Sequence, residues 1–542
     1  MMVKSSFKYM VLSLFANTIL FFSCTNSFER FNTDQTGFPD DLQGYDYNKW
    51  GIQPGIIQRG IYFNYNWGDG VNWPFQIMQN LNVDMFAGYF HDFKGAFNSS
   101  NSVYKLNYGW NSSNWEYTYG YIMPAIYRSE LLASDDGYSS FLGITKILKV
   151  AAMHRIADQY GPLVYSDFGS KTGSQPEPLK DAYINFFADL EEGISLVKSW
   201  VTENPGIEYF KKFDILTKTK SYDEWLRFAN SLRLRLAIRI SNVDKGMAAA
   251  EIKKCFDCNI GFLEKGTNII AVSTRGTGYS NPLGEINKAW KDVFMNASME
   301  SYLVGYEDPR LPMYFDRALG DGEGNYLFNI TDTYKGFRQG MGVEHDNYNG
   351  HSRSTITQTT DAILMTPAEV WFLRAEAALR GMSPDVVGEC YVNGVRASCN
   401  QWGVGDEVEE YLHSNNTPKD YKDALDSIFD VKAMSTITPK WDDSASYEEK
   451  LERIITQKWI ACYPEGAEAW AEQRRTGYPK LFKVYINNSE GRIDTDIMIR
   501  RLPYPARLSI DNPGQYQKLL QYLNGEDTGG TRLWWDVGEN VF

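Results

Sequence analysis

Residues 363–378 read ILMTPAEVWFLRAEAA. Thr366-Pro367-Ala368-Glu369 is a capping box, in which Thr and Glu satisfy backbone N–H groups that the first turn of a helix leaves without partners. Pro367 stands at the first helical position, where its missing N–H costs nothing. The box opens a helix that ends at Gly381. Two further boxes have the same form. Ser221-Tyr222-Asp223-Glu224 opens a helix over Trp225–Ile240, with Phe228, Leu232 and Leu236 along one face. Ser446-Tyr447-Glu448-Glu449 opens one that runs to about Cys462. Apolar residues at helical spacing predict another over Phe141–Tyr160, stopped by Gly161-Pro162. Asp181 starts the next, which carries Phe186, Phe187, Leu190, Ile194 and Val197 on one side; Gly466–Arg475 and Pro513–Leu523 complete the set. The fold class that follows is mainly α, with helices recurring in pairs and a few short strands. Residues 42–80, 92–120, 262–285, 305–360 and 385–445 read as long irregular stretches, and loops of that length carry function or small extra elements.

The N-terminus has the layout of an export signal. Lys4 and Lys8 precede the apolar stretch Tyr9–Phe22, and Ser23-Cys24 follows. The stretch is shorter than the roughly 20 apolar residues of a membrane span and suits a signal h-region of about 7–15. Residues 1–23 are therefore expected to be a signal peptide, with Cys24 the lipidated residue. Residues 24–42 are expected to form a lipidated polar tether, and residues 43–542 a single helical domain. A net charge of −14 argues against nucleic acid, because phosphate contacts need clustered Lys and Arg.

Enzymatic motifs are absent. The five histidines are scattered, and neither HExxH, GxSxG, a P-loop nor GxGxxG occurs. Cys255 and Cys258 form a lone CxxC without the second pair or histidines of a zinc site. No cofactor or metal is expected. Cys390 and Cys399 flank a Gly-containing segment that could carry a disulfide in an oxidising compartment, and Cys462 reads as a buried thiol. Gly320–Asn325 reads as a hairpin turn. Two carboxylates are all a glycosidase needs, so a surface glycoside hydrolase stays open as a reading that no motif supports.

Three C-terminal segments resemble one family. They are residues 363–378, then Ile455–Ala461 continuing through Glu468-Ala469-Trp470 to Arg474–Pro479, and Arg501–Pro505 with Asn512–Tyr516 and Trp534–Asp536. They are similar to the SusD/RagB nutrient-binding lipoproteins of Gram-negative outer membranes. Phe228–Ala237, Asp308-Pro309-Arg310, Asp158–Pro162 and the Gln79–Phe90 stretch agree. The resemblance implies four tetratricopeptide-like helix-turn-helix pairs and a lipid anchor in the outer membrane. It also implies a SusC-like TonB-dependent transporter as partner, over which the protein acts as a non-catalytic lid delivering a glycan. A peptide-binding lid is the alternative. Surface-exposed members often carry acidic residues after the lipidated cysteine; here the sequence departs from that pattern, with only Glu29 in the window, and the body is expected to face the exterior. The motifs themselves read as scaffold, with Trp371, Trp459 and Trp470 filling the core and Glu468, Arg474 and Arg475 in a buried ion network.

Ligand contacts are expected on the irregular stretches. Flat C–H faces of sugars suit Trp and Tyr, and their hydroxyls suit Asp, Asn and Arg. With 15 Trp and 35 Tyr, many in polar surroundings, the chain has material for such platforms. The densest combination is residues 64–73, NYNWGDGVNW, which nominates Trp67, Asp69, Asn72 and Trp73. Residues 344–353 nominate Tyr348, His351 and Arg353, and Asn296 is a third candidate.

Overall fold

The computed structural model describes residues 45–62, 73–92, 101–264, 268–318, 333–343 and 348–542. The chain divides into two units, residues 1–50 and 51–542. Of the first, only a short turn, Tyr45–Tyr47, and the start of a helix are described. The larger helices, in chain order, are α1 (Asn48–Gly60), α2 (Tyr108–Tyr117), α3 (Met123–Asp135), α4 (Ser139–Tyr160) and α5 (Leu179–Glu203). Then come α6 (Tyr222–Arg239), α7 (Lys245–Asp257), α8 (Pro282–Lys288), α9 (Ala297–Tyr306) and α10 (Pro367–Leu379). The last are α11 (Val387–Gln401), α12 (Tyr447–Cys462), α13 (Gly466–Thr476) and α14 (Pro513–Leu523). Among the described residues, four short strands make two antiparallel ladders: β1 (Phe90–Asp92) with β3 (Val293–Met295), and β2 (Ile270–Val272) with β4 (Ala362–Met365).

Among the described residues, four helix pairs form the body: α4 with α5, α6 with α7, α10 with α11, and α12 with α13. Successive pairs touch through α5–α6, α6–α10 and α10–α12. This is the tetratricopeptide-like arrangement expected from the paired helices. In the first pair the two backbones meet at Gly143 and Gly193. A Cβ on Gly143 would lie 2.8 Å from the Gly193 carbonyl, and one on Gly193 would lie 2.9 Å from the Gly143 carbonyl. No described helix is long and apolar enough to cross a membrane.

The three capping boxes differ in outcome. Ser446 and Glu449 make the full reciprocal pair at the start of α12. Ser221 and Thr366 each accept from the third backbone N–H, as expected. Their glutamates turn elsewhere: Glu224 takes the Thr219 N–H and hydroxyl, and Glu369 takes Arg235 with two bonds of 2.7 Å. Tertiary contacts thus outcompete half of the local motif. Helices α1, α2 and α11 lie in stretches expected to be irregular. Helix α11 begins after Val386, which offers no side-chain cap, and α1 contains Pro54, so neither announces itself by a start signal. Because α11 is helical, Cys390 and Cys399 are nine residues apart on one helix. That places them roughly 13 Å apart along its axis, about twice the reach of a disulfide. Both are free thiols, and the disulfide reading is corrected. Cys255 and Cys462 are likewise free and buried. Gly320–Asn325 lies outside the described residues.

A buried ion ladder joins all four pairs. Arg239 of α6 meets Asp158, Glu468 at 2.5 Å and Glu472. Lys458 of α12 meets the same two glutamates at 2.7 and 3.2 Å. Arg475 bridges Glu472 and Glu376. Burial would raise the Glu468 carboxyl, but Arg239, Lys458 and Arg235 outweigh it and hold it down at about 2. Arg474 instead donates to the carbonyls of Asp158 and Arg500 and lies 3.6 Å over the Trp470 ring. Trp459 and Trp470 are buried, the former donating to the Ala87 carbonyl at 2.8 Å. Trp371 departs from expectation: it is half-buried and covered by the Arg374 guanidinium at 4.3 Å. The Gln79–Phe90 stretch is tied to the same scaffold, through Tyr89 to the Trp459 carbonyl and Asp84 to the Gly466 N–H.

Candidate functional site

Trp73, Arg353, Asn296, Tyr348 and His351 fall among the described residues; Trp67, Asp69, Asn72 and Cys24 lie outside them. Trp73 opens the helical turn Trp73–Phe75. Pro74 and Phe75 turn inward, and Phe75 packs 5.0 Å from the Tyr62 ring. That anchoring leaves Trp73 55% exposed. One turn on, Gln76 donates to Asp292 at 3.1 Å across a separation of 216 residues. Asp292 immediately precedes β3 and is held to the end of α8 by its N–H bond to the Ile286 carbonyl. Its neighbour Lys291 offers its carbonyl to Arg353 at 2.7 Å. Arg353 also donates to the Asn349 side chain at 2.6 Å, and its guanidinium lies 4.2 Å over the Phe294 ring.

The chain Trp73–Gln76–Asp292–Lys291–Arg353 therefore links Trp73 and Arg353, the described end of each nominated stretch. It also adds residues that sequence reading did not nominate. Gln76 and Asp292 carry no local signal, because their pairing is long-range. Trp290, two residues before Asp292 and half-buried, follows α8 in a short turn. Lys288, at the end of α8, pairs with Asp316 at 2.7 Å. The result is a surface with an exposed indole, a second partly exposed indole and several hydrogen-bonding groups held by buried neighbours. Such a surface stacks on the face of a ring and hydrogen-bonds hydroxyls around it. No group of three or more His, Cys, Asp or Glu that could hold a metal occurs among the described residues.

The other three nominated residues have interior places, against the expectation of exposed loop positions. Asn296 is buried as the N-cap of α9, accepting from the Ser298 N–H at 2.8 Å. Tyr348 is buried against Phe337, 4.8 Å between rings, and its hydroxyl donates to Asp423 at 3.0 Å. His351 is buried beside it, with Nδ1 2.9 Å from the Tyr348 carbonyl. Burial and the nearby Lys335 push its pKa down to about 3, so the ring is neutral. Tyr348 belongs to a small apolar cluster with Phe294, Phe337, Met341 and Phe429. Tyr348 and His351 turn inward because aromatic rings bury more favourably than they hydrate, and of the three nominated residues in this stretch Arg353 alone stays partly exposed.

A family model described as SusD-like, SusD and RagB outer membrane lipoprotein, matches residues 30–536. Solved structures agree over nearly the whole chain. A SusD homolog from Bacteroides vulgatus is 47% identical with a TM-score of 0.86, covering 92% of this chain and 100% of its own. A chitin-binding SusD homolog from Flavobacterium johnsoniae is 34% identical with a TM-score of 0.84, covering 91% and 99%. A SusD homolog from Bacteroides uniformis is 32% identical with a TM-score of 0.80, covering 91% and 99%. No curated protein sequence matches the chain.

Proposed function

The chain belongs to the SusD-like family of outer membrane lipoproteins, and from that premise we propose that it binds a glycan and passes it to a SusC-like TonB-dependent transporter without chemical change. On this reading residues 1–23 are removed as a signal peptide and Cys24 carries the lipid. Residues 24–42 then form the tether, and residues 43–542 form one domain facing the cell exterior. The observation that carries the binding role is the exposed Trp73, coupled through Gln76 and Asp292 to Lys291 and Arg353. The indole offers a flat platform, and the neighbouring donors suit hydroxyls. The chitin-binding relative supports a saccharide over a peptide.

Calorimetry with chito-oligosaccharides, other glycans and a peptide mixture tests the reading. We expect a glycan to bind, and Trp73→Ala to weaken it at least tenfold, about 1.4 kcal/mol, with little change in melting temperature because the side chain is mostly exposed. Equal affinity in the variant would remove Trp73 from the site. Binding of peptides alone would replace the glycan reading with a peptide-binding lid, and release of reducing ends on long incubation would reveal a hydrolase.

A further inference from the structure

A groove lies where the segment after Phe213 runs beside β2. It has a volume of about 440 Å³, within the range of small-ligand sites. Its floor is apolar, including Ile215 and Ile363, and its rim carries Lys218, Lys220 and Arg275 against a single carboxylate, Asp361. The rim is held in place by backbone: Ala271 donates to the Leu216 carbonyl at 3.2 Å and Ser273 to the Ile215 carbonyl at 3.0 Å.

The three cations make no ion pair with any described residue. The carboxylates around them are directed to other donors, though they keep their charge. Asp361 accepts from the Thr274 N–H and hydroxyl at 2.8 and 3.0 Å. Asp214 is buried and accepts from Leu216, Thr217 and the Trp225 indole. Glu224 is taken by Thr219, and Asp223 by Arg227. A cavity between α4 and α5 shows the contrast. There Lys146 and Lys149 are fully answered by Asp189, Glu130 and Glu192. In a chain of net charge −14, a groove lined by three cations and one carboxylate has a net positive lining, which attracts anions. Arg275 adds a planar donor fork suited to carboxylate or sulfate.

We infer that this groove is an anion-binding subsite that takes a charged unit of an acidic saccharide, its apolar floor lying under the sugar ring and its rim cations on the carboxylate or sulfate. The inference rests on the glycan reading above and names the class of sugar. Calorimetry of the full chain at low salt tests it, with trigalacturonate, a sulfated heparin-derived disaccharide and neutral chitotriose as probes. The expected result is at least tenfold tighter binding of one acidic probe than of chitotriose. That preference should shrink as salt rises and vanish in K218Q/R275Q, whose melting temperature stays unchanged because both side chains are exposed. The probe that wins assigns carboxylate or sulfate. Acidic probes binding no tighter than chitotriose, or as tightly to the double variant as to wild type, would overturn the subsite. If Trp73→Ala still weakens binding at least tenfold in either case, the glycan platform survives and the subsite alone fails; if no saccharide binds at all, both fail.

Discussion

His154 makes the body sensitive to mild acid, by an amount that can be worked out. It sits in the interior of α4 with Nδ1 2.8 Å from the Val150 carbonyl, beside the buried ion ladder. Burial, followed by the positive charge of Arg235, pushes its pKa down to about 3, against about 6.5 in an unfolded chain. The folded pKa is depressed, so between about 6.5 and 3 the unfolded chain takes up a proton that the folded one refuses. Stability is therefore intact above pH 6.5 and falls as pH drops below it. At pH 5.0 the loss is roughly 1.5 units at about 1.4 kcal/mol each, or ~2 kcal/mol. The test is urea unfolding followed by tryptophan fluorescence at pH 7.5 and 5.0, for wild type and His154→Asn. Asparagine keeps a donor for the Val150 carbonyl but cannot titrate. Its smaller volume costs stability equally at both pH values, so that term cancels in the comparison. Wild type should lose ~2 kcal/mol more than the variant between the two pH values. Equal losses in the two proteins would refute the reasoning and show that His154 is protonated in the folded state or that its ring is solvated.

Two further predictions concern the scaffold. Glu468→Gln leaves Arg239, Arg235 and Lys458 short of a counter-charge inside the body, and breaking a buried pair in this way costs about 3–5 kcal/mol. The urea midpoint at pH 7 should fall accordingly, and the gap to wild type should narrow below pH 4.5, vanishing as pH approaches the folded Glu468 value of about 2. Gly143→Ala forces a methyl group to within 2.8 Å of the Gly193 carbonyl. Since that backbone cannot yield, α4 and α5 must separate, at a cost of about 1–3 kcal/mol, read as a lower midpoint at constant slope.

The difference between what was legible in the sequence and what was not follows from how far apart the interacting groups are. Helix α12 could be read because its start is written within four residues, and Ser446 and Glu449 satisfy each other there. Helix α4 could be read because its period runs unbroken to Gly161. Glu369 was read as the same kind of capping residue, yet its carboxylate belongs to Arg235, 134 residues away; a local pattern names a need for partners without naming the partner. The same limit governs the ligand face. Aromatic and amide-rich loops have one composition whether they stand in water or fold onto themselves. Trp73 and Tyr348 were thus both eligible in sequence, and the apolar cluster around Phe337 separates the buried one from the exposed. The basic groove is the extreme case. Lys218, Lys220 and Arg275 are unexceptional in a chain with 54 Lys and Arg. They become conspicuous only when the fold gathers them around one groove without an ion-pair partner. A binding site of this kind is a remainder left after folding has satisfied its own polar groups, and a remainder can be taken only once the pairing is known.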